Sequence, residues 1–363
     1  MSIQKKTLFG ALTSAILLSS SFAAQAEATT YLSKRAMKKI ASAGMVQIAN
    51  GLSLYAATPR IILSANESLL DRAFSANRTS PDTNTKQMWA HVGGTRLKSS
   101  SIAQARLKAF GALDANQPID TNVTSLQLGR TVMAGDSTRI DLFGGLAGHA
   151  SGTGASRKRA FETTGGVIAL GGVVDHLHAS GLRARLGTQL TGGSAEFKIR
   201  DKDLKSMTKK NQTFATVGLG LKGELSKDVE LGNQFVLTPA LGFGHQMAWI
   251  NPKDSKKASS IEHAISMTAS TRLAYAFNGA NGRAANAWLE PSYVNHIKRT
   301  ASVKGAGIDF SSRGPRQQVG LAVGTNLPVG KQGELSASYG YSRALGNVKH
   351  KQATLDLGYS HRF

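Results

Sequence analysis

The end of the chain carries a strict alternation of apolar and polar side chains, from Leu355 to Phe363. In a transmembrane β-strand, one side chain faces lipid and the next faces the lumen. The alternation therefore predicts that Asp356 and Arg362 point inward, and that the lipid-facing set is Leu355, Leu357, Tyr359 and Phe363. His361 is a polar exception on the lipid side, at a level where headgroups would lie. A soluble edge strand would show the same pattern, so the rest of the chain has to distinguish the two.

Similar runs, alternating or rich in small residues and about ten residues long, recur along the chain. Counting the last one gives twelve, an even number as in bacterial single-chain barrels. The pattern predicts an all-β fold, a twelve-stranded antiparallel transmembrane β-barrel. The predicted strands are 87–94, 123–131, 138–147, 165–174, 181–190, 213–224, 234–247, 265–276, 285–295, 317–326, 333–342 and 353–363.

The connections between these runs alternate in length. Short segments rich in turn-forming residues, such as 178–181, 278–282 and 326–330, follow every even-numbered strand before the last. Polar stretches of roughly 16 to 28 residues separate most of the other pairs. Short turns on one side and long loops on the other are typical of outer-membrane barrels, whose short turns face the periplasm.

One segment before the first strand has a helical pattern, residues 61–77. Its apolar residues include Ile62, Leu69 and Phe74, and its polar residues fall elsewhere around the helix. Pro59 suits a helix start, and the Thr-Ser-Pro sequence at 79–81 suits a helix end. We therefore expect a helical segment within residues 59–80.

The N-terminus has the pattern of a secretory signal over residues 1–26. Lys5 and Lys6 precede an apolar stretch rich in small residues, and Ala24-Gln25-Ala26 resembles a cleavage site. The sequence also has no cysteine, so neither disulfides nor thiolate metal sites can stabilise it. We expect an exported chain that depends on burial and strand pairing.

Composition agrees with a barrel that has a polar interior. The chain contains 39 glycines and 41% hydrophobic residues, and its mean hydropathy is −0.18. These values are poor for a large soluble core and suit a barrel. Composition alone leaves a soluble β-sandwich as an alternative.

Charged residues on the inward positions of the strands predict a network in the lumen. Buried charges usually pair with one another, and Glu290 and Asp356 are the expected partners for the arginines. Glu67 or Asp71 of the predicted helix could join them, and a transport site is the alternative. The predicted lumen set is Arg183, Arg185, Lys222, Arg272, Glu290, Asp356 and Arg362.

The net charge of +22 is concentrated in the predicted outer loops. A basic rim would attract lipopolysaccharide, anionic glycans or an anionic host surface, in a salt-dependent way. Alternatively, the lysines only keep the loops solvated. Nucleic acid is not expected, because aromatic residues are scarce and none lies within the basic run. That outer basic loop comprises Lys198, Arg200, Lys202, Lys205, Lys209 and Lys210.

Sequence motifs for chemistry are lacking, and we expect no enzyme activity, no metal and no cofactor. His176 and His178 could share a strand face, but only Asp175 is nearby as a third ligand. No nucleophile elbow, zinc-protease helix or phosphate-binding glycine loop is present. A phospholipase-like outer-membrane enzyme is the rival, although no serine and histidine are singled out by their spacing.

Residues 87–363 resemble the autotransporter β-domain, the twelve-stranded translocator of type V secretion. The opening strand, Gln87 to Gly94, is similar to the family's usual Trp-Ala-Arg-x-Gly-Gly start. Further matching segments are 125–129, 175–182, 289–293 and 358–363. No single motif is specific, but their order and spacing are.

This resemblance implies a protein of the outer membrane of a Gram-negative bacterium. It implies that the helix runs through or near the pore and joins an exported segment to the first strand; a helix on the periplasmic side is the alternative. It also implies insertion through the C-terminal strand by the barrel insertion machinery. Some members cut themselves at an asparagine in the pore, for which Asn66 and Asn77 are the candidates here.

The segment that would be exported, residues 27–58, is unusually short and basic for this family. It has no strand repeats and no folded cargo is expected. The chain could display a short peptide, be a reduced remnant, or act through the barrel itself. A translocator that exports or displays its own N-terminal segment is the main prediction, and a stand-alone basic barrel acting as an adhesin is the alternative.

Overall fold

The computed structural model describes residues 57–58, 60–75, 83–107, 111–153, 161–199, 212–232, 234–252, 260–279, 282–305, 308–346 and 348–363. The predicted signal segment 1–26 and nearly all of the extension 27–58 lie outside the described residues. So do Pro59 and residues 76–82, which include Asn77.

Twelve strands form the wall of the molecule. They are β1 (Gln87–Leu107), β2 (Gly111–Ala134), β3 (Thr138–Thr153), β4 (Phe161–Leu177), β5 (Leu182–Ile199), β6 (Gln212–Lys227), β7 (Phe235–Pro252), β8 (Ser260–Asn278), β9 (Ala284–Gly305), β10 (Gln317–Val329), β11 (Gly333–Leu345) and β12 (His350–Arg362).

Every strand pairs antiparallel with the next one along the chain, and the last pairs with the first. The β1–β12 register runs from Gln87↔Arg362 to Ser99↔His350. Closure leaves none of the twelve described strands at a free edge of the wall, which a barrel needs where no water can satisfy backbone groups. The prediction of a twelve-stranded antiparallel barrel is confirmed.

The two ends of the barrel differ. Short connections after residues 134, 177, 227, 278 and 329 lie at one end, which we call the short-turn end. The opposite end, where the paired strands are longest, is the long-hairpin end. Residues 229–230 add two strand residues that pair with β7 near the short-turn end.

The strands are longer than predicted at the long-hairpin end. The sequence pattern predicts an outer loop at residues 95–122, yet β1 and β2 stay paired up to Leu107↔Gly111. A further strand, Ile308–Arg313, pairs with both β1 and β9 there. The alternation of apolar and polar side chains identifies only the part of a strand that has lipid on one side. The backbone ladder continues beyond it, because pairing satisfies N–H and C=O groups whatever the side chains are.

The outer surface of the barrel is apolar around its whole circumference. Each of the twelve strands exposes at least two large apolar side chains, as a lipid-facing wall requires. Two from each strand, in order, are Met88, Val92, Leu126, Leu128, Leu142, Leu146, Ile168, Leu170, Leu186, Leu190, Val217, Leu219, Leu241, Phe243, Ile261, Met267, Leu289, Tyr293, Leu321, Val323, Leu335, Tyr339, Leu355 and Leu357.

A helix, α1 (residues 60–75), lies inside the barrel. Its apolar residues Leu70, Ala73 and Phe74 form a buried cluster with Trp89, Phe143 and Val173, which point inward from β1, β3 and β4. The helix nearly matches the predicted 61–77. Within the described part of the chain, no helix is long and apolar enough to cross a membrane.

Candidate functional site: the helix in the lumen

Two glutamines of the wall hold α1 by its backbone. Gln127 Nε2 on β2 donates to the carbonyl of Leu69 at 2.7 Å, and Gln189 Nε2 on β5 donates to the carbonyl of Asn66 at 2.6 Å. Helix carbonyls have two lone pairs, so each can accept this bond in addition to the helical one. Asn66, one of the two self-cleavage candidates, is itself buried.

Glycines on the inner wall make room for the helix. A Cβ added at Gly187 on β5 would lie 2.4 Å from Phe74 and 3.3 Å from Leu70. At Gly218 on β6, an added Cβ would lie 2.6 Å from the Asn66 amide nitrogen. The wall is therefore shaped to the helix at these positions.

Ion pairs join the helix to opposite parts of the wall. Arg72 Nε lies 2.6 Å from Asp356 Oδ2 on β12, and the same arginine donates to Ser125 on β2. On the other side, Lys222 of β6 pairs with Asp71. The helix carboxylate Asp71 thus takes part in the lumen network, as the sequence suggested for one of its two candidate carboxylates.

A second charged cluster lies below the helix, toward the short-turn end. Arg139, which is fully buried, sits 3.2 Å from Asp141 and 3.5 Å from Asp175. Arg183 Nε donates to Asp175 at 2.7 Å. Two cations and two carboxylates therefore balance each other in the lumen, with the charges paired as burial demands.

The other predicted lumen residues also pair: Arg272 has Glu290, one of the two expected carboxylates, whereas Arg185 and Arg362 have other glutamates. Arg185 binds Glu224 at 2.5 Å, and Arg362 binds Glu334 at 3.2 Å. Glu290 binds Arg272 at 2.8 Å, and the Arg272 guanidinium lies 4.2 Å from the Trp288 ring centroid. The structure thus places each residue of the predicted lumen set in an ion pair. Most of these pairs join neighbouring strands.

Sequence reasoning missed several members of the network: Arg72, Arg139, Asp141, Glu224 and Glu334. Arg139 and Asp141 lie two apart within a predicted strand, so both fall on one face, and that spacing could have revealed them. Glu224 could be linked to Arg185 only once the β5–β6 register was known.

The helix does not fill the lumen. A polar cavity of about 330 Å³ lies between its polar side and the wall from β8 to β12, beside the Arg72–Asp356 pair. Ser64, Glu67 and Ser68 of the helix face Ser292, Gln318 and other polar residues across this space. The helix is therefore packed against one half of the wall, and its polar side faces the other half.

The structure orients the helix along the barrel. Thr58, which is helical and lies two residues before Arg60, has its Oγ1 3.4 Å from that of Thr163, near the start of β4 at the long-hairpin end. Thr83, between the helix and β1, donates to the carbonyl of Asp136 in the β2–β3 turn at the short-turn end. The chain thus passes through the lumen from one end to the other before it enters β1.

The C-terminal strand has its apolar side chains on the outer surface. Leu355, Leu357, Tyr359 and Phe363 are each about half exposed, whereas the Asp356 side chain points inward to the helix.

The outer basic loop differs from the expectation at its first residue. Lys198 lies in β5 and pairs with Glu196 at 2.8 Å. It is a strand residue because the β4–β5 ladder continues to Phe161↔Ile199. Arg200, Lys202, Lys205, Lys209 and Lys210 lie outside the described residues.

The histidines near the β4–β5 turn make local contacts. His176 Nδ1 lies 2.9 Å from Thr138 Oγ1, and His178 Nδ1 lies 2.9 Å from Ser180 Oγ. Asp175 is engaged by arginines. Among the described residues, no group of three or more His, Cys, Asp or Glu could hold a metal ion.

A closed twelve-stranded barrel with an apolar exterior and a helix in its lumen has the fold of an autotransporter translocator domain. Similar structures include the NalP translocator domain of Neisseria meningitidis, with TM-score 0.63 and 11% identity, covering 86% of this chain and 99% of that one. The AIDA-I transport unit of Escherichia coli has TM-score 0.59 and 14% identity, covering 80% and 98%. The BrkA β-domain of Bordetella has TM-score 0.54 and 15% identity, covering 77% and 99%.

No family model and no curated protein matches the sequence. The similarity therefore lies in the fold. The construction of the barrel agrees with the predicted location in the outer membrane of a Gram-negative bacterium. The structures described above are a translocator domain, a transport unit and a β-domain of autotransporters.

Proposed function

We propose that this protein is an outer-membrane translocator that exports or displays its own N-terminal segment, residues 27–58. The observation that carries the proposal is the path of the chain through the lumen. The chain meets the wall at Thr163, at the long-hairpin end, and enters β1 from the short-turn end. Since short turns face the periplasm in such barrels, residues before Thr58 would leave on the outer side.

The contacts of α1 support a defined final position after export. Wall glutamines hold its backbone, and Arg72 and Asp71 pair with strands on different sides of the lumen. A chain that only passed through would need no such matched contacts. We infer that the helix is where transport stops and that it anchors the displayed segment.

The C-terminal strand supports a role in insertion. Its outward apolar set, Leu355, Leu357, Tyr359 and Phe363, would be available to the barrel insertion machinery before the barrel closes. We propose that machinery, together with outer-membrane lipid and lipopolysaccharide, as partners of the protein. Binding of anionic glycans or a host surface would depend on the basic residues 200–210.

The test is the location of a peptide tag placed after Ala28 in intact cells. We expect antibody to bind this tag without permeabilising the outer membrane. The matched control is the same tag after Ala179 in the β4–β5 turn, which we expect to be bound only after permeabilisation. A tag after Ala28 that is bound only after permeabilisation, from a correctly folded barrel, would contradict export.

A further inference from the structure

An apolar groove of about 690 Å³ crosses the outer surface of the barrel from β5 to β9. Its lining includes Leu182, Leu225, Leu241 and Tyr293, with Lys227 at one end. The groove lies on the face that carries the apolar belt. It is therefore a depression in the surface that contacts lipid.

Two prolines explain why the wall is uneven here. Pro239 on β7 lies opposite Thr271 on β8. On the other side of Thr271, the β8–β9 register is the same at Leu289↔Leu273 and at Ser292↔Ser270, but Pro291 has no paired residue across these two strands. Proline cannot donate to the ladder and is unusual inside a sheet.

The side chains at this place are also short. Ala269 lies between the larger Leu241 and Tyr293, and Pro239 and Pro291 lie two residues nearer the short-turn end on their strands; all of them line the groove. The missing ladder pairing at Pro291 and the short outward side chains coincide with the groove.

The groove runs from the rim of the barrel toward the middle of the wall. Leu182 and Lys227 are the first residue of β5 and the last of β6, and they lie opposite each other at the short-turn end. Pro291 lies well inside β9, which begins at Ala284. One end of the groove is thus at headgroup level and the other is at the level of hydrocarbon.

We propose that this groove binds a phospholipid of the membrane leaflet at the short-turn end. The Lys227 ammonium would bind the lipid phosphate, and one acyl chain would lie along the groove to Tyr293. The Lys227 cation suits the phosphate of such a lipid, since lysine binds phosphate as a point charge, and the apolar groove suits its acyl chain. The site requires a barrel in a membrane but does not depend on export of residues 27–58.

The test is native mass spectrometry of the full chain purified in a mild detergent and titrated with phosphatidylglycerol. We expect one phospholipid to bind in a saturable way. Lys227→Glu should weaken this binding roughly tenfold, because reversing a charge opposes the phosphate. Ala269→Leu should also weaken it, by occupying the groove.

Two variants serve as matched controls. Lys331→Glu changes a lysine in another turn of the same rim, and Ala337→Leu enlarges an alanine on β11, away from the groove. Both should bind lipid like the unmodified chain. Equal lipid binding by all four variants would overturn the proposal. So would a groove occupied by a second copy of the barrel, detected as a dimer that Ala269→Leu abolishes.

Discussion

Arg72 of the lumenal helix donates a 2.6 Å hydrogen bond to Asp356 of the last strand, across 284 positions of the chain. Asp356 lies opposite Gly93 on β1, at the seam that closes the barrel. A Cβ at Gly93 would lie 2.4 Å from the Arg72 guanidinium. The helix therefore binds at the seam, and it does so only because the opposing position lacks a side chain.

Removing either partner of this pair should loosen the helix in the lumen. For Arg72→Ala, we expect a loss of about 3 kcal/mol in the free energy of unfolding, because the Asp356 carboxylate loses its guanidinium in a mostly buried site and is left beside the His91 ring. The measurement is urea unfolding of the barrel in detergent, followed by tryptophan fluorescence.

A double-mutant cycle with Asp356→Asn separates the pair from other effects. The double variant should lose clearly less stability than the two single losses added together, since the second change removes a carboxylate that has already lost Arg72. Strictly additive losses would show that the two side chains are not coupled.

Enlarging a glycine under the helix should displace it. Gly187→Val would place side-chain atoms against Phe74 and cost about 1 to 3 kcal/mol through overpacking. Phe74→Leu in the same chain should recover part of the loss. Protease digestion of the helix in the folded barrel measures the displacement.

Gly192→Val on the same strand provides the control, because a Cβ there meets nothing within 4 Å. It should leave the protease resistance unchanged. Equal sensitivity of the two variants would mean that the wall is not shaped to the helix at Gly187.

Alternation identified the strands because lipid on one face and the lumen on the other give a period of two. The alternation could not predict where the strands end, as β1 and β2 show, since strand pairing continues where both faces meet water. The partners in the ion pairs were harder to predict from the sequence. Arg185 and Glu224 meet because of the strand register, and the sequence does not fix that register without the turn geometry.

Nearly all of the described helix, residues 60–75, was predicted, since Leu69, Leu70 and Phe74 follow a helical period. What could not be predicted is which wall it packs against. That choice depends on glycines such as Gly187, and glycines occur throughout this barrel, so their pattern alone did not single out a helix site.

A charge on the outer surface should be costly in proportion to its depth in the membrane. Leu357→Arg, in the middle of β12, should reduce the free energy of folding by about 2 to 4 kcal/mol in phospholipid vesicles. Leu345→Arg, at the end of β11, should cost about 0 to 1 kcal/mol. Equal costs would contradict the assignment of this surface to lipid.

The buried charge cluster should contribute more to the free energy of unfolding than an exposed ion pair does. Arg139→Met leaves Asp141 and Asp175 without their central cation and should cost about 3 to 5 kcal/mol, with little dependence on salt. Arg96 and Asp120 form an exposed pair at 2.9 Å, and Arg96→Met should change unfolding little. Urea unfolding at low and high salt compares the two variants.

Export of the N-terminal segment is tested most directly by measuring which end of the barrel lies next to Thr58 in cells. The chain has no cysteine, so Thr58→Cys and Thr163→Cys introduce a single possible disulfide between residues whose Oγ1 atoms lie 3.4 Å apart. We predict that this disulfide forms in the assembled outer-membrane barrel, and that Thr58→Cys with Ser137→Cys at the short-turn end forms none. A disulfide in the second variant and not in the first would place the helix start at the wrong end for export and contradict the account.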